Sequence, residues 1–410
     1  MFKGLSEYFN LRMKAVRQSS MNLFLLLLLV FLLASINYWN GNMTGEEPDS
    51  MSAKLLSYSA LFLTAYSILL YLPIIAKGNH WIHKICFIWC CLMPFIMVHS
   101  HNNHPSEYAL TIIWPLLFEV SYNICISNSN RILKFRKLFI VIYVWGIVLL
   151  IHSRIIMTQL DHDQTNTIYF SLLTLPWLMI PDNRKFRVLI MAIFSLLVLF
   201  SMKRSAMLVM ALVWGFYFYF FLKQKRNKLV GVFLVMILLI VGYVVVSRVN
   251  EQMGGRIEER MTEETGENTG RLAIWAVVIT MIQESSVSEY LLGHGHFAVK
   301  RDIPFELSAH NDILEVIYDY GLLILILYLL LWCYIIMRCH ALNRTNSPLF
   351  MPYLVSVTIF VVMSMVSHLI LYTSYFNYLV VFWGCVEGLL QKEKTSNLCL
   401  SRLKSVAQRK

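Results

Sequence analysis

The chain has 410 residues, of which 58% are hydrophobic and 14% charged, and its mean hydropathy is +0.60. Too few polar side chains remain to cover a soluble globule of this size, so the composition excludes a soluble domain and requires lipid as solvent. Lys and Arg number 35 against 24 Asp and Glu, a formal charge of +11. In a membrane chain that excess is read against topology and not as a nucleic-acid footprint.

In chain order, Lys3, Arg12, Lys14 and Arg17 precede an apolar run that starts near Met21, the charge pattern of a signal peptide. No small-residue cleavage site follows and the next segment is another span, so the reading is an uncleaved first helix. Apolar runs long enough to cross roughly 30 Å of hydrocarbon lie at 21–39, 54–76, 81–99, 107–126, 138–157, 165–181, 186–202, 204–222, 228–247, 311–337, 349–371 and 375–390. Pro176 and Pro181 interrupt the sixth, and the turn after the seventh is very short. The expected fold is an all-α polytopic membrane protein of about twelve transmembrane helices. Residues 1–247 carry helices 1–9, 248–310 form one large outer loop with an amphipathic helix, 311–391 carry helices 10–12, and 392–410 are a basic tail.

With the N-terminus inside, every short inner loop is basic, while the outer loops around Glu46 to Asp49 and Asp161 to Asp163 are acidic. The positive-inside rule therefore puts both ends in the cytoplasm. It leaves ten outer basic residues unexplained, among them Lys203, Arg204 and Arg271. The large loop opens with the polar stretch EQMGGRIEERMTEETGENTG and continues into RLAIWAVVITMIQ, where Leu272, Trp275, Ile279 and Ile282 recur at helical spacing. That stripe predicts a helix lying along the outer leaflet. A glycine-rich turn, GHGH, precedes re-entry. The cysteines fall in or near spans or in the tail, with no CxxC spacing, so neither a disulfide framework nor a zinc site is expected.

Three constellations carry chemistry. In SAHNDILEVIYDYGLL the pair His310-Asn311 stands at the mouth of the tenth span, with nine residues between Asn311 and Gly321. A neutral imidazole there can accept a proton as general base; the blander reading is a histidine that caps the helix. In SMKRSAML, Lys203 and Arg204 occupy an outer turn so tight that both side chains lie at the membrane surface or dip between helices, where a cation is costly unless it meets an anion; otherwise they snorkel. Arg271, in TGRLAIW, opens the loop helix, where the helix dipole opposes a cation, so something other than helix stability retains it.

The remaining polar clusters read as structural. His99, His101 and His104 in HSHNNHP lack a nearby cysteine, and Asp161 and Asp163 in DHD form a solvated turn. His294 and His296 flank Gly295 in a loop that either lines the site or merely flexes. His368 reads as a helix-to-helix hydrogen bond before a buried partner.

A KR turn in a middle span, then G-R-x-x-x-W opening a loop helix, then G-x-G, then H-N-x9-G at the next span resembles the O-antigen ligase and polymerase superfamily over residues 201–325; the first half is similar in topology only. The family's usual second glycine, three residues on, is Ile324 here, which argues against tight helix packing at that point.

The resemblance implies a glycosyltransferase of the bacterial inner membrane whose large loop is periplasmic. It implies that His310 activates the acceptor hydroxyl, and that Arg204 and Arg271, with Lys203 and Asn311 beside them, bind the substrate's pyrophosphate region. The donor would be an undecaprenyl-pyrophosphate-linked oligosaccharide and the acceptor a lipid-linked glycan or lipid A-core. A chain-length regulator and a flippase are further expected partners, with no cofactor or metal and no nucleic acid. Displacing pyrophosphate from an anomeric carbon needs a cationic cradle and a base, which these residue types supply.

The form of the KRSA and GRLAIW motifs favours the polymerase over the ligase. A secondary transporter shares the helix count, but its long linker would sit inside between two six-helix halves, with paired broken helices in both. An envelope scaffold would leave the outer cations unexplained.

Overall fold

A computed structural model describes residues 19–38, 50–71, 81–99, 105–156, 167–181, 183–201, 203–224, 266–303 and 308–407, with isolated positions between 232 and 255. It is an all-α polytopic membrane protein. Its helices are α1 (Ser19–Tyr38), α2 (Ser50–Tyr71), α3 (Trp81–His99), α4 (Pro105–Ser127), α5 (Ile132–Ile156), α6 (Thr167–Leu178), α7 (Arg184–Ser201) and α8 (Arg204–Gln224). Then come α9 (Gly266–Glu284), two short helices α10 (Val287–Leu292) and α11 (Ala298–Asp302), α12 (Asp312–Arg344), α13 (Phe350–Val366) and α14 (Thr373–Ala407).

Among the described residues, α1 to α5, α8 and α12 are long and apolar enough to cross a membrane, while α6 and α13 are apolar but shorter. All twelve residues of α6 are buried, so Pro176 sits in a helix surrounded by protein, where neighbouring groups can satisfy the carbonyl it frees. The tenth expected span is longer than anticipated, 33 residues, and Gly321 breaks it with φ 77° and ψ 177°. The eleventh ends at Val366, and residues 367–372 form a non-helical connector. α14 continues helical to Ala407, through most of the expected tail. The ninth expected span falls largely outside the described residues, as do the HSHNNHP and DHD turns beyond the backbone of His99 and Pro105.

The chain divides into two compact units. The first comprises Met1–Ile142 and Phe376–Lys410, the second Tyr143–Tyr375. In the first, α4 packs against α2 and α3. Trp114 stands edge-on to Trp89 at 4.9 Å and to Phe376 at 5.4 Å between ring centres. α14 carries GCVEG, whose glycines press on the backbone of α4: a Cβ at Gly384 would stand 2.4 Å from the Phe118 carbonyl oxygen, and one at Gly388 2.4 Å from that of Tyr122. Small residues four apart let two membrane helices approach this closely, and the contact is made of dispersion, since lipid already solvates apolar side chains.

Gly384→Ile therefore forces the helices apart. The expected result is a loss of about 1–3 kcal/mol or more, read as a lower thermal midpoint and less monodisperse protein in size-exclusion chromatography of the detergent-solubilised chain.

Candidate active site

The site lies in the second unit, and its frame is a backbone interlock. At a helix break the preceding carbonyls lose their helical donors. Here those of Tyr318 and Asp319 accept from the N–H groups of His294 (3.0 Å) and Gly295 (2.8 Å). The approach demands glycine on both sides: a Cβ at Gly293 (φ 80°) would meet the Asp319 oxygen at 2.2 Å, and one at Gly321 would meet the Leu291 oxygen at 2.4 Å. The G-x-G and H-N-x9-G motifs are thus two halves of one joint.

Side chains lock it. His294 stacks on Tyr318 with ring centres 4.1 Å apart, Val299 N–H donates to Asp319 at 2.9 Å, and buried His296 bonds the Tyr320 hydroxyl. Burial pulls the His296 pKa down to about 4, so both histidines serve the turn.

α12 begins immediately before this joint. Asn311 is its N-cap, its side-chain oxygen accepting from Ile313 and Leu314 N–H at 3.0 and 3.4 Å. Capping therefore falls to Asn311. His310 precedes it with φ 54°, a left-handed conformation held by Glu315, whose carboxylate accepts from the His310 N–H at 3.0 Å and from the Ala309 N–H.

Asp312 and Glu315 are both fully buried, and together they hold the connector 367–372. Asp312 accepts from Leu369 and Ile370 N–H at 2.9 and 3.3 Å and from the Tyr328 hydroxyl at 2.9 Å. Glu315 bonds His368 Nδ1 at 3.3 Å. The His368 ring lies 4.1 Å from that of His310, and Tyr372 lies 4.8 Å from His368 on another side.

Cations converge on this pair. α9 starts at Gly266, so Arg271 stands in its second turn, where the helix dipole opposes it less than the sequence suggested. Arg271 and Val278 are two turns apart and share a face, and Val278 is fully buried with Trp275 and Ile282 packed around it. Arg271 accordingly reaches inward to the Val366 carbonyl at 3.4 Å, while Trp275, one turn on, donates to the Ala309 carbonyl at 2.7 Å and pins the strap that bears His310.

The apolar stripe is thereby corrected. Leu272 and Ile279 are exposed, 62% and 44%, and the buried face is rotated from the stripe toward Val278, because Trp275 and Ile282 pack inward while the other two do not.

Lys203 stands in the tight turn between α7 and α8, its Nζ 5.7 Å from the centre of the Tyr169 ring, and Tyr169 in turn bonds Ser205. Burial first, then the charges of Lys203, Arg271 and Lys300, pull the His368 pKa down to about 3. Arg271 thus reaches the residue two before His368 and Lys203 lies over Tyr169, while Arg204 opens α8, half-buried. The reading from sequence did not weigh Lys300, Glu315 or Tyr169, and took His368 for a helix-to-helix bond. All four depend on chain reversal between elements far apart in sequence.

Residues 189–329 match the family model described as O-antigen ligase. Over that stretch, about a third of its length, the chain is similar to the O-antigen ligase family. No curated protein and no solved structure matches it. The matched stretch contains Lys203, Arg204, Arg271, His310, Asn311 and both glycines of the joint; Tyr169 and His368 lie outside it.

Two outcomes test the frame. Gly321→Ala adds a clash to a conformation open essentially to glycine, a cost of about 1–3 kcal/mol for the backbone alone, whereas Gly215→Ala in α8, with open space around its Cβ, leaves the thermal midpoint nearly unchanged. For pH, a base whose folded pKa lies below its unfolded value stabilises the fold above the unfolded pKa and loses that contribution as pH falls. Thermal stability is therefore expected to decline between about pH 6.5 and 4, by up to about 1.4 kcal/mol per unit from His296, with a shallower decline in His296→Gln.

Proposed function

We propose that the protein is a membrane glycosyltransferase that polymerises glycans carried on undecaprenyl pyrophosphate. The observation that carries this reading is the pairing of the His310 ring with that of His368, with Arg271 on the Val366 carbonyl two residues before His368. In the proposed step the acceptor hydroxyl gives its proton to the His310 imidazole as its oxygen bonds the anomeric carbon. The bond from that carbon to the pyrophosphate oxygen breaks, and the electron pair leaves with undecaprenyl pyrophosphate. Lys203, Arg204 and Arg271 bind the donor's pyrophosphate and meet the charge that develops on it, so this reading assigns charge neutralisation to side chains rather than a metal. Asn311 keeps the His310 strap at the end of α12 beside the acceptor.

In this topology the site opens on the periplasmic side of a bacterial inner membrane, with both termini cytoplasmic. The acceptor is a second lipid-linked repeat, and a chain-length regulator and a flippase act alongside. The matching model's description favours a second reading, in which the same donor is transferred to lipid A-core.

In a deletion strain, single-repeat surface glycan identifies the polymerase, and long chains left on the lipid carrier identify the ligase. Complementation at matched membrane expression is expected to fail with His310→Ala, which removes a contribution of about 10²–10⁴-fold, and with Arg204→Ala and Arg271→Ala. Arg248→Ala, from an exposed ion pair with Glu251, restores full-length glycan. Full restoration by His310→Ala would refute the mechanism, and transfer by purified protein without an ion gradient separates it from a carrier.

A further inference from the structure

His310 is the last residue before the N-cap of α12, in a left-handed conformation, on a strap whose backbone is held at Ala309 by Trp275 and at His310 by Glu315. Those contacts fix the main chain and leave the torsions of the imidazole to its neighbours. The neighbouring ring is His368, 4.1 Å away and tilted by 36°.

His368 is itself held from two sides. Glu315 takes its Nδ1 at 3.3 Å, and Asp312, one turn earlier on the same helix, takes the two backbone N–H groups that follow it. A single carboxylate, that of Glu315, thus bonds the main chain of His310 with one oxygen and the ring of His368 with the other. The groups facing His368 are Lys203 from the turn before α8, Arg271 from α9, Lys300 from α11, Glu315 from α12, and His310 and Tyr372 beside it.

Resting on the reading above, in which His310 is the base, we propose that His368 is its positioning residue: braced by Glu315 and Asp312, it sets the His310 ring against the acceptor. Glu315 is the one acidic side chain among these groups, and it ties the His310 strap to the His368 ring. The logic is that of a base oriented by a third group, with the orienting contact here an imidazole face backed by a carboxylate.

The test measures transfer between lipid-linked repeats by the purified full chain and four variants: His310→Ala, His368→Gln, Glu315→Gln and the double variant His310→Ala/His368→Gln. His368→Gln is expected to lower kcat roughly tenfold to a hundredfold, the scale of a misplaced catalytic group, with KM unchanged. Glu315→Gln turns one of the two oxygens that hold the His310 strap and the His368 ring into an amide nitrogen, and lowers kcat in the same way with KM unchanged. The double variant is expected to be no slower than His310→Ala alone, because the two act as one unit.

If His310→Ala is inactive while His368→Gln and Glu315→Gln keep the wild-type kcat, this proposal is overturned and the reading of His310 stands. If His310→Ala keeps wild-type activity, the reading beneath it fails. A rise in KM with unchanged kcat in His368→Gln also overturns the proposal, since it marks a substrate-binding role. Should His368→Gln not fold, Glu315→Gln, which keeps the shape of the side chain, decides the matter through the same separation of kcat from KM.

Discussion

The site depends on the meeting of two backbones at Gly293 and Gly321. A membrane helix keeps its polar backbone satisfied within itself, and breaking it exposes carbonyls whose desolvation costs several kcal/mol each unless another donor arrives. In this chain the donors are the N–H groups of His294 and Gly295. The break and the loop therefore require one another, and neither side tolerates a Cβ. Because α10, α11 and the His310 strap lie within thirty residues of the joint, fixing it limits where they can go. The joint is a constraint of close packing, and it turns the segment between α9 and α12 into a framework with few alternatives.

On that framework the first turn of α12 does two tasks. Its acidic residues suit a helix N-terminus, where the dipole favours negative charge. Both are buried, and buried carboxylates persist where hydrogen bonds satisfy them. Asp312 and Glu315 meet this requirement by taking up the N–H groups and the imidazole of the connector after α13, together with the Tyr328 hydroxyl. The connector departs from helical geometry at Ser367, so it has donors to offer. Local electrostatics, the end of one helix and the interruption of another thus meet in one place, and the histidines sit where they meet.

The surroundings of that pair are cationic on the loop side and carboxylate-backed on the helix side. The same division distinguishes this unit from the first, where α14 and α4 meet through glycines and the core is built of tryptophan and phenylalanine rings.

Much of this was legible from one dimension. Hydropathy determined that the chain is helical and crosses a membrane several times, because about twenty apolar residues per segment have no other stable environment. Local motifs singled out Lys203, Arg204, Arg271, His310 and Asn311 as candidates for one site, and the glycines as chain turns. Tertiary structure alone decided which of them meet. The buried face of α9 passes through Val278 and carries Arg271 inward, a register that the exposed Leu272 and Ile279 obscured because both faces of that helix are apolar. His368 lies 58 positions from His310 and Lys203 more than a hundred, and no periodicity relates residues across such gaps. Their proximity follows from helix ends and backbone hydrogen bonds that form only when the whole unit closes.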